Sequence, residues 1–471
     1  MRKVILICFA IILVFTAVFF WSAKTKAVVE NSVIKIFSTK TGALESAIAI
    51  KDIRPNYSFA LVDLGGDGQK EILIGAGTDM EPVVKIYRAD GSLINSFLAY
   101  AQNFKGGVNV SACNFDNDNL DEILTSPFRN GSAHIRIFDG YGHPKINAGF
   151  FAFDKKETTG AQSVCADVNG DKIDEIIVVG VEKNVREIRV FDVSGKLLSK
   201  NKIDFIGNDI SLASLDLGGD GIEEILVAGG RGDQPLIKIF RGDLSLVNEF
   251  LGYEDKNFKM GLSVFGADVD NDGKGEIIVT PGVGGKAQIK IFDGYGNLKN
   301  TNLDIIFADK FLGGLKVAVG DLDGDLELEF ITVPKSLPVG KTDLYKYIDV
   351  DVSEQRFRYY QNGYLVDDLQ TSTGKPSTPT RLGEFTAFSK YEMAYGGADG
   401  QRWGMPYFIG FYKSGSLENG IHELPFLGGR REGERSLGIA VSHGCVRLGI
   451  GRAREVYDWL EINKTKVFVH K

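Results

Sequence analysis

The sequence is short of the residues that most often carry chemistry, since its 471 residues include 4 cysteines, 5 histidines and 3 tryptophans. It also lacks an excess of positive charge. The formal net charge is −8 at pH 7, which argues against nucleic acid as a partner. Only 12 prolines accompany 57 glycines, which indicates many tight turns. A chain of this length is too long for one core, so two or more domains are expected.

Charge is also missing from residues 4–21, a run of eighteen residues that follows Arg2 and Lys3. A run of this length can span a bilayer. The two basic residues would hold the N-terminus in the cytoplasm and send the rest of the chain outside. We predict a cytoplasmic stub and transmembrane anchor over residues 1–27, with cleavage of a signal peptide after Ala23 or Ala27 as the alternative.

Residues 28–333 repeat two short elements at intervals of about 50 residues, a period typical of propellers and solenoids. The first element alternates apolar and basic residues and ends in an aromatic residue. Its basic positions are Lys35, Lys85, Arg136, Arg189, Lys238 and Lys290. This alternation predicts six strands, each with one buried face.

The second repeated element is an acidic loop followed by an apolar strand. Its six copies begin at Asp63, Asn114, Asp167, Asp216, Asp268 and Asp321. This pattern resembles the FG-GAP-type repeats of β-propellers, as in integrin α-subunits. Six copies predict six blades, with residues 33–44 completing the last blade and closing the ring. A seventh blade would require one further divergent repeat.

Four of the acidic loops carry side-chain oxygens at positions 1, 3, 5 and 9, the arrangement by which EF-hand-like loops bind calcium. The predicted calcium ligands are Asn114, Asp116, Asp118 and Glu122; Asp167, Asn169, Asp171 and Glu175; Asp268, Asp270, Asp272 and Glu276; and Asp321, Asp323, Asp325 and Glu329. The other two loops have Gly65 and Gly218 at position 3, where we expect weak binding or Asx-type turns only. Such turns are the alternative for all six loops.

Cys113 and Cys165 lie just before two successive acidic loops. They are out of register by one position, which favours side chains on opposite faces. A location outside the cell would permit a disulfide, but we predict buried free thiols.

A linker is predicted over residues 334–343, where Pro334 and Pro338 separate the repeats from non-repetitive sequence. Residues 344–471 contain short strand patterns, a helix over residues 453–460 and a closing strand over residues 465–470. The expected fold is therefore dominated by β-structure: a transmembrane helix, a six-bladed propeller and a small β-rich domain with a short C-terminal helix.

The C-terminal domain contains a cysteine beside a histidine, in Ser442-His443-Gly444-Cys445. A thiol becomes a useful nucleophile when a neighbour lowers its pKa or takes its proton, and a second imidazole, His422, is close in sequence. Gly444 would let backbone N–H groups approach a developing oxyanion. The alternatives are a structural cysteine and a zinc site with Glu423 as a further ligand.

Three stretches resemble the L,D-transpeptidase catalytic domain, whose members remodel bacterial peptidoglycan. Ser442 to Arg447 with Gly420-Ile421-His422 resembles its signature. Residues 348–351 and 356–360 resemble its opening hairpin. Residues 372–375 and 378–385 resemble its TG…TPxGxF run.

The resemblance implies roles for six residues and no cofactor for catalysis. Cys445 would attack a peptidoglycan stem peptide and His422 would take its proton, although the sequence does not decide which imidazole is the base. His443 and Ser442 would shape the site, and Gly444 would help to hold the oxyanion. Arg447 would hold a substrate carboxylate or brace the loop. Nineteen residues separate His422 from Ser442, slightly more than is usual in the family, so residues 427–433 are predicted to form a substrate-specific rim.

The predicted function is an envelope L,D-transpeptidase that forms or remodels peptidoglycan cross-links through a cysteine acyl-enzyme. Its propeller would bind or position a wall polymer or protein. The alternative is a calcium-stabilised wall-binding or adhesion propeller with an inactive or hydrolytic (L,D-carboxypeptidase) C-terminal domain. Both place a single-pass protein in the cell membrane, with its domains on the wall side.

Overall fold

The computed structural model describes residues 34–48, 57–146, 149–183, 185–207, 209–299, 311–336, 339–398, 401–415 and 417–471. The anchor or signal peptide predicted over residues 1–27 lies outside these ranges. Within them, no helix is both long enough and apolar enough to cross a bilayer. The described chain is mostly β-structure, as predicted.

The N-terminal part of the described chain forms six sheets. Their strands are β1 Ile34–Ser38, β2 Leu44–Ile48, β3 Ser58–Val62, β4 Glu71–Gly75, β5 Val83–Tyr87, β6 Leu93–Leu98, β7 Val108–Cys113, β8 Glu122–Pro127, β9 His134–Phe138, β10 Phe150–Phe151, β11 Ala161–Ala166, β12 Glu175–Glu182, β13 Val185–Phe191, β14 Leu197–Lys202, β15 Ser211–Leu215, β16 Glu224–Ala228, β17 Leu236–Phe240, β18 Leu246–Leu251, β19 Leu262–Ala267, β20 Glu276–Pro281, β21 Lys290–Phe292, β22 Leu315–Gly320 and β23 Glu329–Pro334. Each sheet is one antiparallel blade. The first strands of successive blades, β3, β7, β11, β15, β19 and β22, contact one another in a closed ring. The prediction of a six-bladed propeller is confirmed.

The sixth blade is built from both ends of this region. Its order is β2-β1-β23-β22, and Ile36 of β1 pairs with Ile331 of β23. The strand that begins the described chain thus completes the last blade, as the sequence predicts. Pairing of the two ends within one sheet closes the ring of blades.

The repeated sequence elements occupy fixed places in each blade. The apolar-basic-apolar-aromatic segments are the third strands, and their alternate residues are buried, as in β9 and β17. The acidic loops join the first strand to the second. The second strands β8, β20 and β23 are buried along their whole length because blades cover both of their faces.

Cys113 and Cys165 form a disulfide with Cα atoms 5.6 Å apart, so the prediction of free thiols is wrong. Cys113 ends β7 and Cys165 is the penultimate residue of β11, and these are the inner strands of neighbouring blades. Side-chain alternation fixes directions within one sheet, whereas these strands belong to two sheets at an angle. The offset of one residue therefore did not separate the sulfur atoms.

The C-terminal domain is built on a sheet of eleven strands with the order β27-β34-β24-β25-β26-β33-β30-β29-β31-β32 and β28 paired to β29. Its elements are β24 Lys346–Asp351, β25 Arg356–Gln361, β26 Tyr364–Ser372, β27 Gly383–Thr386, β28 Ser389–Ala398, β29 Gln401–Ser414, β30 Leu417–Glu423, β31 Phe426–Leu427, β32 Arg430–Arg431, a 3-10 turn Glu434–Ser436, β33 Val446–Leu448, α1 Arg452–Trp459 and β34 Lys466–His470. The predicted opening hairpin is β24–β25, and the predicted helix and closing strand are α1 and β34.

The C-terminal domain packs against one end of the propeller. Val283, from the loop after β20, belongs to the apolar core formed by Ile348, Phe357 and Tyr359 of the C-terminal domain. This end carries the loops between second and third strands, whereas the acidic loops lie at the other end because antiparallel strands reverse direction. The predicted separate domain is thus seated on the propeller.

Candidate active site

The site is formed where β30 and β33 run parallel and side by side. In this register Ile421 lies opposite Val446, and His422 lies opposite Arg447. Side chains alternate along each strand, so His422 and Arg447 share one face of the sheet. Cys445, two residues before Arg447, lies toward the same face. The Arg447 charge accordingly lowers the pKa of both His422 and Cys445.

His422 is buried, with 2% of its surface exposed. Its Nδ1 lies 2.6 Å from the carbonyl oxygen of Glu423. A carbonyl oxygen only accepts hydrogen bonds, so Nδ1 carries the proton and Nε2 keeps a lone pair. The ring stacks on Phe408 with centroids 6.1 Å apart. Burial lowers the pKa of His422 to about 4, so the imidazole is neutral near pH 7.

Cys445 is the free thiol of the described chain and is only partly accessible. Its Sγ lies 4.0 Å from Oδ1 of Asn419. Burial raises the pKa of Cys445 above that of an ordinary cysteine, while a hydrogen bond from the Gly420 backbone and the charge of Arg447 lower it. The balance keeps the resting group a thiol, so the nearby imidazole has a proton to take.

His443 is held differently from His422. Its Nε2 lies 3.0 Å from Nζ of Lys375, and an ammonium group only donates. Nε2 of His443 is therefore an acceptor already in use. Its ring also lies 6.0 Å from the ring of Trp403. These contacts give His443 a place in the wall of the site.

Ser442 organises the loop that ends at Cys445. Its Oγ donates to the carbonyl oxygen of Cys445 at 2.5 Å and accepts from the N–H of Gly444 at 3.1 Å. Gly444 has φ +110°, a conformation that side chains other than glycine rarely adopt. The Gly444 N–H is thus already hydrogen-bonded within the loop.

The segment that resembles the TG…TPxGxF run cradles this loop. Ser442 donates its N–H to the carbonyl oxygen of Thr373 at 2.9 Å, and its own carbonyl oxygen accepts from the N–H of Lys375 at 2.9 Å. A Cβ at Gly374 would lie 2.2 Å from the carbonyl oxygen of Thr378, so only glycine fits there. The run is therefore a support for the catalytic loop.

Arg447 braces the predicted rim. Its guanidinium lies 2.9 Å from Oε2 of Glu432, and only 6% of the Arg447 side chain is exposed. The rim itself is the tight hairpin β31–β32, whose turn residues Gly428 and Gly429 have φ of +56° and +81°, as a two-residue turn requires. The structure gives Arg447 a contact with the rim, and its role toward a substrate carboxylate stays a prediction.

Glu423, the further ligand considered for zinc, is engaged elsewhere. Its carboxylate lies 2.7 Å from Nη1 of Arg431 and accepts from the N–H of Gly451 at 2.6 Å. It follows His422 on β30, so it points to the opposite face. Among the described residues, the clusters with metal-binding geometry do not include Cys445, His422 or Glu423.

In three of the four acidic loops that were predicted to bind calcium, the carboxylates lie close together. These groups are Asp116, Asp118 and Glu122; Asp268, Asp270 and Glu276; and Asp321, Asp323 and Asp325. In the loop at Asp167, Asn169 instead donates from Nδ2 to Glu175 at 2.7 Å. In the loops at Asp63 and Asp216 the first carboxylate accepts backbone N–H groups, for example from Gly65 and Gly218 at 3.1 Å, as in Asx-type turns.

Lysines occupy two of the three converged loops. Nζ of Lys145 lies 2.7 Å from Asp116 and 2.5 Å from Glu122. Nζ of Lys299 lies 2.9 Å from Asp270 and 2.5 Å from Glu276. In the third loop, burial and the neighbouring acids Asp323, Glu45 and Asp321 raise the pKa of Glu329 to about 7. Among the three converged loops, the loop at Asp321 is thus the one whose clustered carboxylates carry no bridging lysine of the described chain, although Lys40 pairs with Glu327 at its edge.

The sequence interpretation assigned no role to Asn419, Trp403 or Lys375. Asn419 directly precedes the Gly-Ile-His segment, so its position in the sequence could have indicated a place near the thiol. Trp403 contacts both Arg447 and His443 from the distant strand β29, which no spacing in the sequence indicated. Lys375 lay inside the recognised run, but its contact with His443 depends on the fold.

Residues 345–469 match the YkuD family model, the L,D-transpeptidase catalytic domain. The C-terminal domain is therefore an L,D-transpeptidase catalytic domain, as the resemblance predicted. No curated protein matches the chain in sequence.

Three solved structures of L,D-transpeptidases are similar to part of this chain. An L,D-transpeptidase from Mycobacterium tuberculosis H37Rv is 20% identical, over 33% of this chain and 77% of that one, with a TM-score of 0.23. A cysteine-to-serine mutant of the Enterococcus faecium L,D-transpeptidase is 28% identical, over 26% and 49%, with a TM-score of 0.22. An L,D-transpeptidase from Mycobacterium smegmatis is 15% identical, over 51% and 93%, with a TM-score of 0.24.

Proposed function

We propose that this protein is a cell-envelope L,D-transpeptidase that acts on peptidoglycan stem peptides through an acyl-enzyme on Cys445. The supporting observation is that a thiol and a neutral imidazole lie toward one face of two neighbouring strands. His422 presents Nε2 with its lone pair because Nδ1 is fixed on the Glu423 carbonyl. His443 has its Nε2 against Lys375, so His422 is the better base.

The reaction begins with transfer of the Cys445 proton to Nε2 of His422 as sulfur attacks the scissile carbonyl of the stem peptide. The carbonyl oxygen becomes an oxyanion. The Gly444 N–H is engaged by Ser442, so the Cys445 N–H is the proposed donor of this pair. The intermediate collapses to a thioester, and the leaving amine of the terminal D-residue takes the proton from His422.

The thioester is resolved by an amine of a second stem peptide, whose proton returns to His422. The amine nitrogen bonds to the carbonyl carbon, the C–S bond breaks, and the thiolate recovers a proton from the imidazolium. Water in place of the amine would give an L,D-carboxypeptidase. The hairpin β31–β32, fixed by Glu432 on Arg447, is suited to controlling which nucleophile enters.

The pKa directions support proton transfer during attack over a preformed ion pair. Burial raises the pKa of Cys445 and lowers that of His422. Both shifts disfavour the charged forms, so the resting pair is neutral. The thiolate character then develops as sulfur attacks the carbonyl and the thiol proton passes to His422.

The propeller is proposed to bind calcium and to position the catalytic domain against a wall polymer or protein. The loop at Asp321 is the favoured calcium loop because its carboxylates converge without a bridging lysine like those at Asp116 and Asp270. The proposed location is the outer side of the cell membrane, anchored by residues 1–27. The Cys113–Cys165 disulfide supports an oxidising compartment.

Mass spectrometry after incubation with a carbapenem or a disaccharide-tetrapeptide tests the catalytic proposal. The wild-type chain is expected to gain a covalent adduct, Cys445→Ala none, and His422→Ala an adduct that forms far more slowly. Adduct formation on Cys445→Ala would remove this cysteine from the mechanism. With the tetrapeptide, a cross-linked dimer indicates transfer and a tripeptide indicates hydrolysis. A wild-type chain that forms neither product nor adduct would favour the binding-protein alternative.

A further inference from the structure

A cavity of about 510 Å³ runs along the propeller axis. The inner strands of the blades line it, and Val366 of the catalytic domain lines it where that domain is seated. Its volume lies in the range of small-molecule pockets. The described lining residues do not include Cys445 or His422, so the cavity is not part of the catalytic site.

The two ends of the cavity differ in charge. Arg231, Lys316 and Lys335 line the end covered by the catalytic domain, together with Asp209. Asp121 and Glu223 line the end near the acidic loops, together with Lys70, which lies 3.5 Å from Asp121. Three cations against one carboxylate leave the covered end with a net positive charge when all four groups are ionised.

The cations at the covered end are poorly compensated. Arg231 is 6% exposed, and its Nε has no hydrogen-bond partner among the described residues. Its Nη1 donates to the carbonyl oxygen of Val283 at 3.3 Å. Asp209 lies 3.8 Å from Arg129, which is itself paired to Asp367. The carboxylate of Asp209 therefore interacts with Arg129 as well as with the cations of the cavity. Unpaired charge in such a place is costly.

The two lysines are close enough to affect each other. Burial, followed by the charge of Lys316, lowers the pKa of Lys335 to about 7. Burial lowers the pKa of Lys316 to about 8, and its Nζ donates to the carbonyl oxygen of Tyr57 at 2.6 Å. A bound anion would reverse both effects, because it favours the charged ammonium forms.

We propose that the covered end of the axial cavity is a binding site for a small oxyanion, a carboxylate or a phosphate, held by Arg231, Lys316 and Lys335. Arg231 supplies a planar donor with an unused N–H, which suits an oxyanion. The lysines supply charge from the sixth blade, which is separated by one blade from the blade that carries Arg231. Val366 closes the site with an apolar surface, which favours a small ligand and connects its occupancy to the catalytic domain.

Thermal unfolding and isothermal titration of the purified chain test this site with two probes, sodium phosphate and sodium succinate, each against sodium chloride at equal ionic strength. At least one probe is expected to raise Tm in a saturable way and to release or absorb saturable heat. The stronger probe identifies the ligand as phosphate-like or carboxylate-like. Absence of a saturable response to both probes would overturn the proposal.

Variants separate this site from anion binding elsewhere. Arg231→Met and Lys335→Met are each expected to weaken the response at least about tenfold, the factor for a lost interaction of about 1.4 kcal/mol. Lys256→Met, which changes an exposed propeller lysine, is the matched control and should bind like wild type. Equal weakening in the control, or none in the cavity variants, contradicts the assignment.

The ligand-free variants provide a second readout. Lys335→Met removes a buried cation that lies near two others, so its Tm without anion is expected to equal or exceed that of wild type. A purely structural lysine would instead lower Tm when replaced. If Arg231→Met does not fold, the anion response of Lys335→Met and its Tm without anion together decide the question.

Discussion

The guanidinium of Arg129, on the loop after β8, lies 2.9 Å from the carboxylate of Asp367 on β26, and the two side chains are 8% and 3% exposed. This buried ion pair joins the propeller to the catalytic domain. At its far end β26 pairs with β33, where Ser372 lies opposite Arg447. One strand thus connects the propeller surface to the catalytic loop.

Arg129→Met is expected to lower Tm clearly, because it leaves the Asp367 carboxylate buried without its closest cation. Breaking such a pair from one side typically costs about 3–5 kcal/mol. Thermal unfolding of the full chain measures the effect. Lys40→Met is the control, since Lys40 and its partner Glu327 are 63% and 51% exposed and an exposed pair contributes about 0–1 kcal/mol. Equal losses in the two variants would contradict the importance of burial.

The rate of carbapenem acylation is expected to fall at acid pH with an apparent pKa of about 4. The base must be neutral to accept the thiol proton, and burial lowers the pKa of His422 to about 4. Activity is therefore retained above this value and lost as the pH falls through it. Stopped-flow or mass-spectrometric rates between pH 3 and pH 8 provide the measurement. An acid limb near the ordinary histidine value of about 6.5 would point to an exposed imidazole instead.

Gly374→Ala is expected to reduce acylation by about 10²-fold, the scale of a displaced catalytic group. The new Cβ would lie 2.2 Å from the Thr378 carbonyl oxygen, and the strand that holds Ser442 would have to shift. Gly433→Ala is the matched control, since a Cβ there meets nothing within 4 Å. The measurement is the adduct formation rate, with circular dichroism to verify folding. A normal rate in Gly374→Ala would show that the cradle does not position the thiol.

Calcium is expected to raise the Tm of the full chain, and a chelator is expected to reverse the effect. Binding only to the folded state at 100 times Kd contributes about 2.7 kcal/mol. Asp323→Asn should remove most of this gain if the loop at Asp321 is the main site.

Lys145→Met tests whether a bridging lysine prevents calcium binding in an acidic loop. It removes the ammonium that lies between Asp116 and Glu122, so calcium affinity of that loop is expected to increase. Equilibrium dialysis counts the bound ions in wild type and variant. A Tm that responds neither to calcium nor to chelator would leave all six loops as structural turns.

The repeats predicted the propeller because each copy carries its own strand periodicity and turn residues. Six local patterns were enough to place the third strands, the acidic loops and the closing role of β1. The resemblance located Cys445 and His422, and the fold added that they share a sheet face. Local sequence determines the strands and loops of each repeat, so those features could be inferred without coordinates, whereas the shared face required the register of β30 and β33.

Contacts between blades and between domains could not be inferred in this way. The Cys113–Cys165 disulfide depends on the angle between two neighbouring sheets, which alternation within one strand does not fix. Lys145 follows the acidic loop by many residues and returns to it only through blade geometry. Arg129 and Val283 look like ordinary loop residues until the catalytic domain is seated on them.

The closure of the sixth blade has a consequence for how the protein is made. Ile36 finds its partner Ile331 only after nearly all of the propeller has been synthesised. Contacts between residues so distant in sequence slow folding. Until then β1 and β22–β23 expose unpaired strand edges, which are prone to join other chains. The chain must therefore complete its last blade before these edges aggregate, so β1, the first strand of the described chain, keeps one edge unpaired until the final strands of the propeller are made.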